Sequence, residues 1–523
     1  MKDNYLELKI SKYGRDGRGA VFLNGVQYAV EGALKDETVR VEGGGKIFKT
    51  AEIIVPSPHR VTVECPCFSR CGGCDLLFAD YGEQLRIKKA AVAENLKRVV
   101  SKELISDTVG MFYPYRYRNK IHIAFTASPK GVKAGFFEEG SKRVTDYRGC
   151  LLHEKSADVL VRILKDFISN NGVKIRDENK KTEGVRYAAA RFLDGGLMLT
   201  VVSSHTTLPE AAKLYAALAE NFKEVSLYLN VNKSRDSAIF SDKFVHLFGK
   251  PQITGKLCGI RFDYYPSAFI QINDNIAARV YNDVLSAALI DKDTTVLDLY
   301  SGIGLTSVMF AKKCARVISV ELSKDAVKAA SALKKSYRLS DKIVNICGDA
   351  GAELAKLSLE YDEARLEVKA VNTIRQKNYE ASAVRSFGGL EIGAVDTVLQ
   401  NNYEARIYAC DNRTRAEYVS APRRFFAASA DPLLHTGYIS APTRRIVVFA
   451  DPPRTGLSEK VVNGLLRLKP EQIVYLSCNP ESLSKNLADF SGEYEIKSLV
   501  PYDMFPQTRH IEVLAVLNRK ERV

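Results

Sequence analysis

The C-terminal half of the chain alternates short apolar runs with amphipathic stretches. This alternation is typical of strands and crossover helices in a parallel sheet. We predict seven strands, at 294–300, 315–321, 342–349, 445–452, 472–478, 493–500 and 510–518. The pattern begins near residue 257, so it predicts a Rossmann-like α/β domain over 257–523.

The N-terminal half has a different pattern. Residues 1–57 alternate apolar and polar positions, and their turns contain glycine or asparagine. Several short strands with such turns predict a small β-barrel of the oligonucleotide-binding kind. Residues 58–256 mix strands and helices and predict a central α+β domain. An amphipathic helix is predicted over roughly 80–100, in a segment 80–110 that can pack on the catalytic domain.

One long stretch interrupts the strand–helix rhythm. About a hundred residues separate Asp349 from Arg445, where a doubly wound sheet normally needs one helix and short loops. The stretch repeats itself weakly, with NYEA at 378–381 and again at 402–405. We predict an unusual insertion at about 355–444, and both a flexible insertion and a subdomain covering the sheet edge remain open.

Composition and charge narrow the class of protein. The 523 residues are 46% hydrophobic and 26% charged, which is ordinary globular composition for two to four domains. No apolar run approaches the ~20 residues that cross a bilayer, and MKDNYLELKI lacks a signal peptide's apolar core. We therefore expect a cytoplasmic protein without a membrane partner. The net charge of +14 suits a polyphosphate partner, although a merely basic enzyme would also fit.

The first candidate site is LDLYSGIG at 297–304. An apolar strand ends there in a glycine turn, which lets a ligand approach the backbone at the carboxyl edge of the sheet. The third glycine of a dinucleotide-binding loop is missing, which favours S-adenosylmethionine over a nicotinamide cofactor. Glu321 and Asp349 close the next two strands, where they could bind the ribose and the adenine end of that cofactor.

Two further motifs follow the fourth and fifth predicted strands. ADPPRTGLS at 450–458 resembles the Asp-Pro-Pro-aromatic motif of methylases that modify base amines, but Arg454 replaces the aromatic residue. A turn made rigid by proline is the alternative interpretation. LSCNP at 476–480 places Cys478 at the same edge of the sheet, where Asn479-Pro480 ends the strand and exposes the sulfur.

A thiol at this position fits methylation of uracil at C5. That carbon is a poor nucleophile until a thiolate adds to C6 and makes C5 enolate-like. A base must then remove the C5 proton so that the thiolate can be eliminated. Glu512, at the start of the last predicted strand and close to His510, is the candidate base.

Together TTVLDLYSGIG, ADPPRTGLS, LSCNP and DMFPQTRHIEVLAVL resemble the RNA uracil-5-methyltransferases, over nearly the whole chain except about 355–444. The resemblance is to the branch that modifies 23S ribosomal RNA and carries both an RNA-binding TRAM barrel and a 4Fe-4S cluster. It implies that Cys478 is the nucleophile and Glu512 the proton acceptor. It also implies that five residues contact S-adenosylmethionine or frame the base: Gln271, Tyr300, Glu321, Asp349 and Asp451. Arg118 and Lys120 fall where the family has basic residues near the RNA.

Four cysteines lie within ten residues, at 65, 67, 71 and 74. The resemblance implies that Cys65, Cys71, Cys74 and the remote Cys150 ligate the cluster, and that Cys67 is an additional thiol. The spacing alone admits zinc or iron. Zinc sites usually pair two C-x2-C units, and only one is present here, so the spacing favours an iron–sulfur cluster. We expect its role to be structural, because methyl transfer moves no net electrons.

The sequence thus predicts a three-part enzyme: residues 1–57 as barrel, 58–256 as iron–sulfur domain and 257–523 as methyltransferase. It should methylate C5 of a specific uridine in 23S ribosomal RNA, with S-adenosylmethionine and a 4Fe-4S cluster as cofactors and as a monomer. Two alternatives remain open. One is the same chemistry on the T-loop of transfer RNA, and the other is a non-catalytic RNA-binding or chaperone protein.

Overall fold

The computed structural model describes residues 6–68, 70–129, 131–177, 182–234, 238–359 and 445–521. The chain divides into two compact units, residues 1–354 with 444–523, and residues 355–443. Of the second unit only 355–359 are described, and they are helical. The insertion predicted at about 355–444 therefore lies almost entirely outside the described residues.

The first sheet is built from the N-terminal segment. Its six strands are β1 (Leu6–Lys9), β2 (Lys12–Tyr13), β3 (Gly19–Leu23), β4 (Val26–Glu31), β5 (Thr38–Glu42) and β6 (Ile47–Val55). They are arranged in the order β1-β5-β6-β4-β3-β2. Asn24 and Gly25 have φ of 50° and 78°, which makes the tight β3–β4 hairpin turn that the Asn-Gly pair predicts. Alternating side chains such as Leu8, Val21 and Val39 form a small core.

A long helix follows the cysteine-rich loop. Helix α1 (Tyr81–Leu96) begins after Asp80, whose carboxylate accepts a hydrogen bond from the Glu83 amide at 2.7 Å. A 3-10 turn at Lys102–Leu104 comes next. Ile105 and Val109 then form single bridges to Leu499 and Tyr502. The segment 80–110 therefore contacts the C-terminal sheet.

The second sheet has seven strands and lies in the middle of the chain. These strands are β7 (Lys120–Ser128), β8 (Gly131–Phe137), β9 (Val144–Asp146), β10 (Val185–Leu193), β11 (Gly196–Ser203), β12 (Glu224–Val231) and β13 (Phe244–Gly249). Their order is β13-β12-β11-β10-β7-β8-β9. Helices α2 (Lys155–Asn170) and α3 (Ala211–Ala219) bury their apolar stripes in the core of this sheet.

The third sheet confirms the seven strands predicted in the C-terminal half, to within two residues at each end. After the hairpin β14 (Ile253–Leu257) and β15 (Ile260–Tyr264), the chain forms α4 (Asp274–Ala287). The sheet's strands are β16 (Thr294–Leu299), β17 (Arg316–Glu321), β18 (Ile343–Cys347), β19 (Arg445–Ala450), β20 (Gln472–Ser477), β21 (Tyr494–Tyr502) and β22 (Glu512–Arg519). The helices between them are α5 (Leu305–Ala311), α6 (Lys324–Ser336), α7 (Glu459–Leu468) and α8 (Pro480–Phe490).

The order of this sheet, β18-β17-β16-β19-β20-β22-β21, brings the candidate residues to one edge. Strands β16 to β20 are parallel, so their carboxyl ends meet at the same edge. Strand β22 runs antiparallel to β20, and its first residue, Glu512, therefore reaches that edge as well. None of the helices in the described part of the chain is long and apolar enough to span a membrane.

Candidate active site

The loop after β16 has a left-handed backbone conformation at three residues, two of which are glycines. Tyr300, Gly302 and Gly304 have φ of 62°, 55° and 81°, all in the left-handed region. A Cβ on Gly304 would lie 3.0 Å from the Cβ of Ala330, so this position leaves little room for a side chain. The Gly302 amide donates to the Glu321 carboxylate at 3.0 Å, which ties the loop to the end of β17.

The candidate cofactor residues Glu321, Tyr300 and Asp349 lie together at this loop. Glu321 also accepts a hydrogen bond from the Ser323 amide at 2.7 Å, so two backbone donors fix its carboxylate. Asp349 is exposed and accepts from the Ala352 amide at 3.0 Å, at the start of a helical stretch. Burial and the nearby Asp349 carboxylate raise the pKa of Tyr300 to about 12.

Gln271 comes from another part of the fold, just before α4. Its side chain is buried, and its carbonyl accepts a hydrogen bond from the Arg191 guanidinium at 3.1 Å. Two residues on, Asn273 caps α4 and donates to the carbonyl of Met504 at 3.1 Å. This segment is thereby attached to the loop 503–511, which leads into Glu512.

Cys478, Asp451 and Glu512 converge at the ends of three adjacent strands. Ser477 pairs with Val513, so the next residue, Cys478, comes opposite Glu512. Asp451 directly follows β19, whose last residue, Ala450, pairs with Tyr475 of β20. The three predicted residues are therefore neighbours, although each belongs to a different motif.

The surroundings of these three side chains disfavour their negatively charged forms. Burial raises the pKa of Cys478 to about 11, with the Glu512 and Asp451 carboxylates adding to the effect and Arg454 opposing it. Burial and then Asp298 raise the pKa of Asp451 to about 7. Burial and then Asp451 hold the pKa of Glu512 well above its ordinary value. One Glu512 oxygen, Oε2, is buried without a hydrogen-bond partner among the described residues.

Sequence reasoning missed two residues near this centre. Arg454 Nη2 lies 2.6 Å from His510 Nδ1, and the Arg454 carbonyl accepts a hydrogen bond from the Asn479 side-chain Nδ2 at 3.0 Å. Arg454 thus links the loops of Cys478 and Glu512 and is more than a departure from the aromatic motif. Burial and the carboxylates of Asp451, Glu512 and Asp298 raise the pKa of Tyr281 in α4. The sequence gives no sign that a tyrosine in an amphipathic helix lies near these carboxyl groups.

The cysteine-rich loop forms a second candidate site. A cavity of about 260 Å³ is lined by Cys65, Cys67, Cys71, Cys74 and Cys150, together with Arg118 and His153. Within the described ranges, no group of three or more His, Cys, Asp or Glu side chains is arranged so that it could hold a metal ion. The donor set itself fits a soft metal, because thiolates suit iron–sulfur clusters and zinc. Burial raises the pKa of Cys71 to about 11, so a metal would have to displace protons from the thiols.

Of the two predicted basic residues, one lies at this cavity. Arg118 lines it and donates to the Lys120 carbonyl at 3.3 Å. Burial, with Arg191 and Arg118 nearby, lowers the pKa of Lys120 to about 8. Arg118 and Lys120 therefore belong to one cluster of basic side chains, of which Arg118 lies next to the thiols.

The cysteine-rich loop is also bonded to the loop 503–511. The Asp75 and Leu76 amides donate to the Gln507 carbonyl at 2.9 and 3.0 Å. Arg509 and Asp75 form an ion pair at 2.9 Å. Asp75 directly follows Cys74, and Arg509 lies three positions before Glu512. This ion pair therefore connects the cysteine-rich loop to the loop that carries the candidate base.

Comparisons with known proteins show what this chain is similar to. The model of the tRNA (uracil-5-)-methyltransferase family matches residues 443–520, and that of the RNA cap guanine-N2 methyltransferases matches residues 293–387. An uncharacterized RNA methyltransferase of Halalkalibacterium halodurans is 28% identical over 530 aligned residues, covering 99% of this chain and 98% of that protein. A similarly named protein of Listeria innocua is also 28% identical, with 99% and 98% covered.

A solved structure resembles the whole fold. It is the tRNA (uracil-54, C5)-methyltransferase of Pyrococcus abyssi in complex with S-adenosyl-L-homocysteine. The TM-score is 0.65 at 21% identity, and the match covers 98% of this chain and 100% of that one. The fold of the described chain is therefore a methyltransferase fold. More specifically, residues 443–520 match the uracil-5-methyltransferase family model, and the relatives that match nearly the whole chain are named RNA methyltransferases, in agreement with the resemblance of the motifs.

Proposed function

We propose that this enzyme transfers a methyl group from S-adenosylmethionine to C5 of one specific uridine, through a covalent bond between Cys478 and C6. The observation that carries the proposal is the meeting of Cys478, Asp451 and Glu512 at the ends of three neighbouring strands. A thiol is superfluous for methylation of an exocyclic amine, whose nitrogen lone pair attacks directly. The thiol beside two carboxyls therefore favours carbon methylation.

The residues would act in a fixed order. Cys478 releases its proton to solvent and its sulfur bonds to C6, which moves electron density to C5. C5 attacks the methyl carbon, whose bond to sulfur breaks and leaves S-adenosylhomocysteine. The Glu512 carboxylate takes the proton from C5, the C5–C6 double bond re-forms, and the bond from C6 to Cys478 breaks. One proton is released per methyl group transferred.

The raised pKa values suit this order. A thiol with a pKa of about 11 is mostly protonated at neutral pH, so it does not react indiscriminately before RNA binds. A buried carboxyl with a raised pKa is a stronger base than an exposed one once it is ionised. Asp451 supports both effects, because its charge raises the pKa of each partner.

We assign S-adenosylmethionine to the neighbouring loops. Glu321, already fixed by two backbone amides, would accept hydrogen bonds from the ribose hydroxyls. Asp349 would contact the adenine end, Tyr300 would line the loop between them, and Gln271 and Asp451 would lie nearer the methyl group. The left-handed turn at Gly302 and Gly304 would leave space for the cofactor beside the backbone.

We also propose the three-part organisation. Residues 1–57 would be a TRAM barrel that holds RNA, residues 58–256 an iron–sulfur domain and residues 257–523 the methyltransferase. Cys65, Cys71, Cys74 and Cys150 would hold a 4Fe-4S cluster whose role is to fix the loop that is bonded to residues 503–511. The bonds from Asp75 and Leu76 to Gln507 support this role. We expect the enzyme to be cytoplasmic and monomeric.

The proposed substrate is 23S ribosomal RNA, by resemblance to the branch with both barrel and cluster. A specific observation favours transfer RNA as a second candidate. The Pyrococcus abyssi enzyme, named for uracil-54 of tRNA, matches 98% of this chain, so the regions outside the catalytic domain do not by themselves exclude a tRNA substrate.

One experiment tests the function and the substrate together. Ribosomal and transfer RNA from cells lacking this protein are digested, and 5-methyluridine is mapped by mass spectrometry in each. Loss of one 5-methyluridine from 23S RNA, restored by the wild type and not by Cys478→Ala, is the expected result. Loss from tRNA position 54 alone would replace the ribosomal substrate, and unchanged 5-methyluridine in both RNAs would contradict the function.

A further inference from the structure

Four aromatic residues lie close together in a loop beside the active-site edge. Residues 111–117, here called the aromatic loop, contain Phe112, Tyr113, Tyr115 and Tyr117. Phe112 is fully exposed, and Tyr113 is 61% exposed. Tyr113 packs edge-on against Tyr115, with ring centroids 5.4 Å apart. Exposed aromatic rings that lie side by side are uncommon on a surface that binds nothing.

The aromatic loop is held firmly at both ends. At its start the Met111 amide donates to the Tyr81 hydroxyl at 2.8 Å, and Asn273 donates to the Met111 sulfur at 3.2 Å. At its end Tyr117 is buried and donates to the Pro506 carbonyl at 2.9 Å. The rings therefore project from a rigid base, which lowers the entropy that a ligand would lose on binding.

The same bonds locate the aromatic loop at the active site. Asn273 is two residues from Gln271, and Pro506 belongs to the loop that leads into Glu512. Just before the aromatic loop, the Val109 amide donates to the Pro501 carbonyl, and the Asp503 amide donates to the Val109 carbonyl, both at 2.8 Å. An RNA strand that brings a uridine to Cys478 would have its neighbouring nucleotides near these rings.

We propose that Phe112 and Tyr113 form a stacking platform for an unpaired nucleotide next to the target uridine. The proposal rests on the uridine methylation argued above. Unpaired bases of RNA stack on aromatic rings. When a uridine leaves its own stack, the bases on either side of it lose their stacking partner. The net charge of +14 favours a polyanion as occupant over a second copy of this basic chain.

The test uses a fluorescent base in a short RNA. A single-stranded 12-nucleotide RNA carries one uridine with 2-aminopurine beside it, and binding to the full-length protein is followed by quenching of the 2-aminopurine. The double variant Phe112→Ala/Tyr113→Ala should bind roughly fivefold to a hundredfold more weakly and abolish the quench. Phe112→Trp should retain both. Leu289→Ala removes an exposed apolar side chain at the opposite end of the sheet and should change neither.

Salt dependence separates stacking from phosphate binding. Removing an aromatic ring releases no counterion, so the slope of log affinity against log salt should stay the same in the double variant. An unchanged affinity and quench, or a loss of affinity accompanied by a shallower slope, would overturn the platform. A blunt RNA duplex bound as strongly as the single strand, and weakened equally by the double variant, would also overturn it.

A second readout keeps the platform distinct from the proposed function. Release of tritium from [5-³H]uridine in the same RNA reports C5 chemistry independently of stacking. Quenching that depends on Phe112 and Tyr113 without any tritium release would overturn the C5 function and leave the platform intact. If tritium is released and the quenching is the same with and without the Phe112 and Tyr113 rings, only the platform would be overturned.

Discussion

The ammonium group of Lys88 donates a hydrogen bond to the carboxylate of Asp503, and both side chains are completely buried. Lys88 lies in α1, and Asp503 begins the loop that leads into Glu512. Tyr81 donates to the other Asp503 oxygen at 2.8 Å, and Lys88 also donates to the Phe505 carbonyl at 3.1 Å. One buried charge pair thus fixes the start of the loop that carries the candidate base.

Removing one partner of this pair should loosen the loop. Lys88→Met leaves the Asp503 charge buried and unpaired, which typically costs about 3–5 kcal/mol. The double variant Lys88→Met/Asp503→Leu leaves no buried charge and should recover most of that loss. Hydrogen exchange of the backbone amides at residues 503–511 measures the effect. Equal exchange rates in the single variant and the wild type would contradict this role for the pair.

The pair also marks the limit of what the sequence predicts. Strand periodicity predicts the seven-stranded sheet, and the parallel sheet then predicts that Asp451 and Cys478 lie at one edge. Lys88 and Asp503 are 415 positions apart, and a lysine in an amphipathic helix gives no sign that it is buried. The contacts of Tyr281 and Arg454 are missed for the same reason, because they arise from packing between elements distant in the chain.

Asp451→Asn should make the Cys478 thiol more reactive toward iodoacetamide in the free enzyme. The Asp451 charge helps to raise the pKa of Cys478 to about 11, so its removal lowers that pKa and increases the thiolate fraction at pH 8. We expect alkylation several times faster than in the wild type, measured by peptide mass spectrometry. Asp349→Asn, which removes an exposed acid at the same edge, should leave the rate unchanged. Slower alkylation of Asp451→Asn would contradict the electrostatic assignment.

Asp298→Asn should stabilise the protein at alkaline pH. Burial raises the pKa of Asp298 to about 6 from an ordinary 3.8, although Ser307 and Thr306 donate to it. The folded state therefore holds the proton more tightly, and stability is lost as pH rises from about 4 through 6. The loss amounts to about 3 kcal/mol.

The asparagine variant should regain much of this stability at pH 8 and little at pH 4. Denaturant unfolding at the two pH values measures it. Asp293→Asn, at an exposed site before β16, serves as the control and should be neutral at both. A variant that is less stable than the wild type at pH 8 would show that the ionised carboxylate contributes more through its hydrogen bonds than burial costs.

The protein purified without oxygen should be brown and contain about four irons per chain. Single Cys→Ser changes at 65, 71, 74 or 150 should lower the iron content. Cys67→Ser, which removes a thiol from the same cavity, should retain it. Metal analysis by mass spectrometry measures both. Stoichiometric zinc without iron in the fresh protein would contradict the cluster.

Trapping the covalent intermediate tests the central mechanism. Glu512→Gln should still add the Cys478 thiolate to C6 and transfer the methyl group, because neither step needs the base. Elimination should then stall, since loss of a general base typically slows its step by ~10²–10⁴-fold. Methylated RNA should remain attached to the protein through Cys478.

The direct measurement is a denaturing gel of Glu512→Gln incubated with ³²P-labelled RNA and S-adenosylmethionine carrying a ³H-labelled methyl group. A slowly migrating protein band that contains both labels is predicted, and it should vanish in the double variant with Cys478→Ala. If Cys478→Ala alone still methylates the RNA, or if the band persists without Cys478, the covalent mechanism proposed for this chain is wrong.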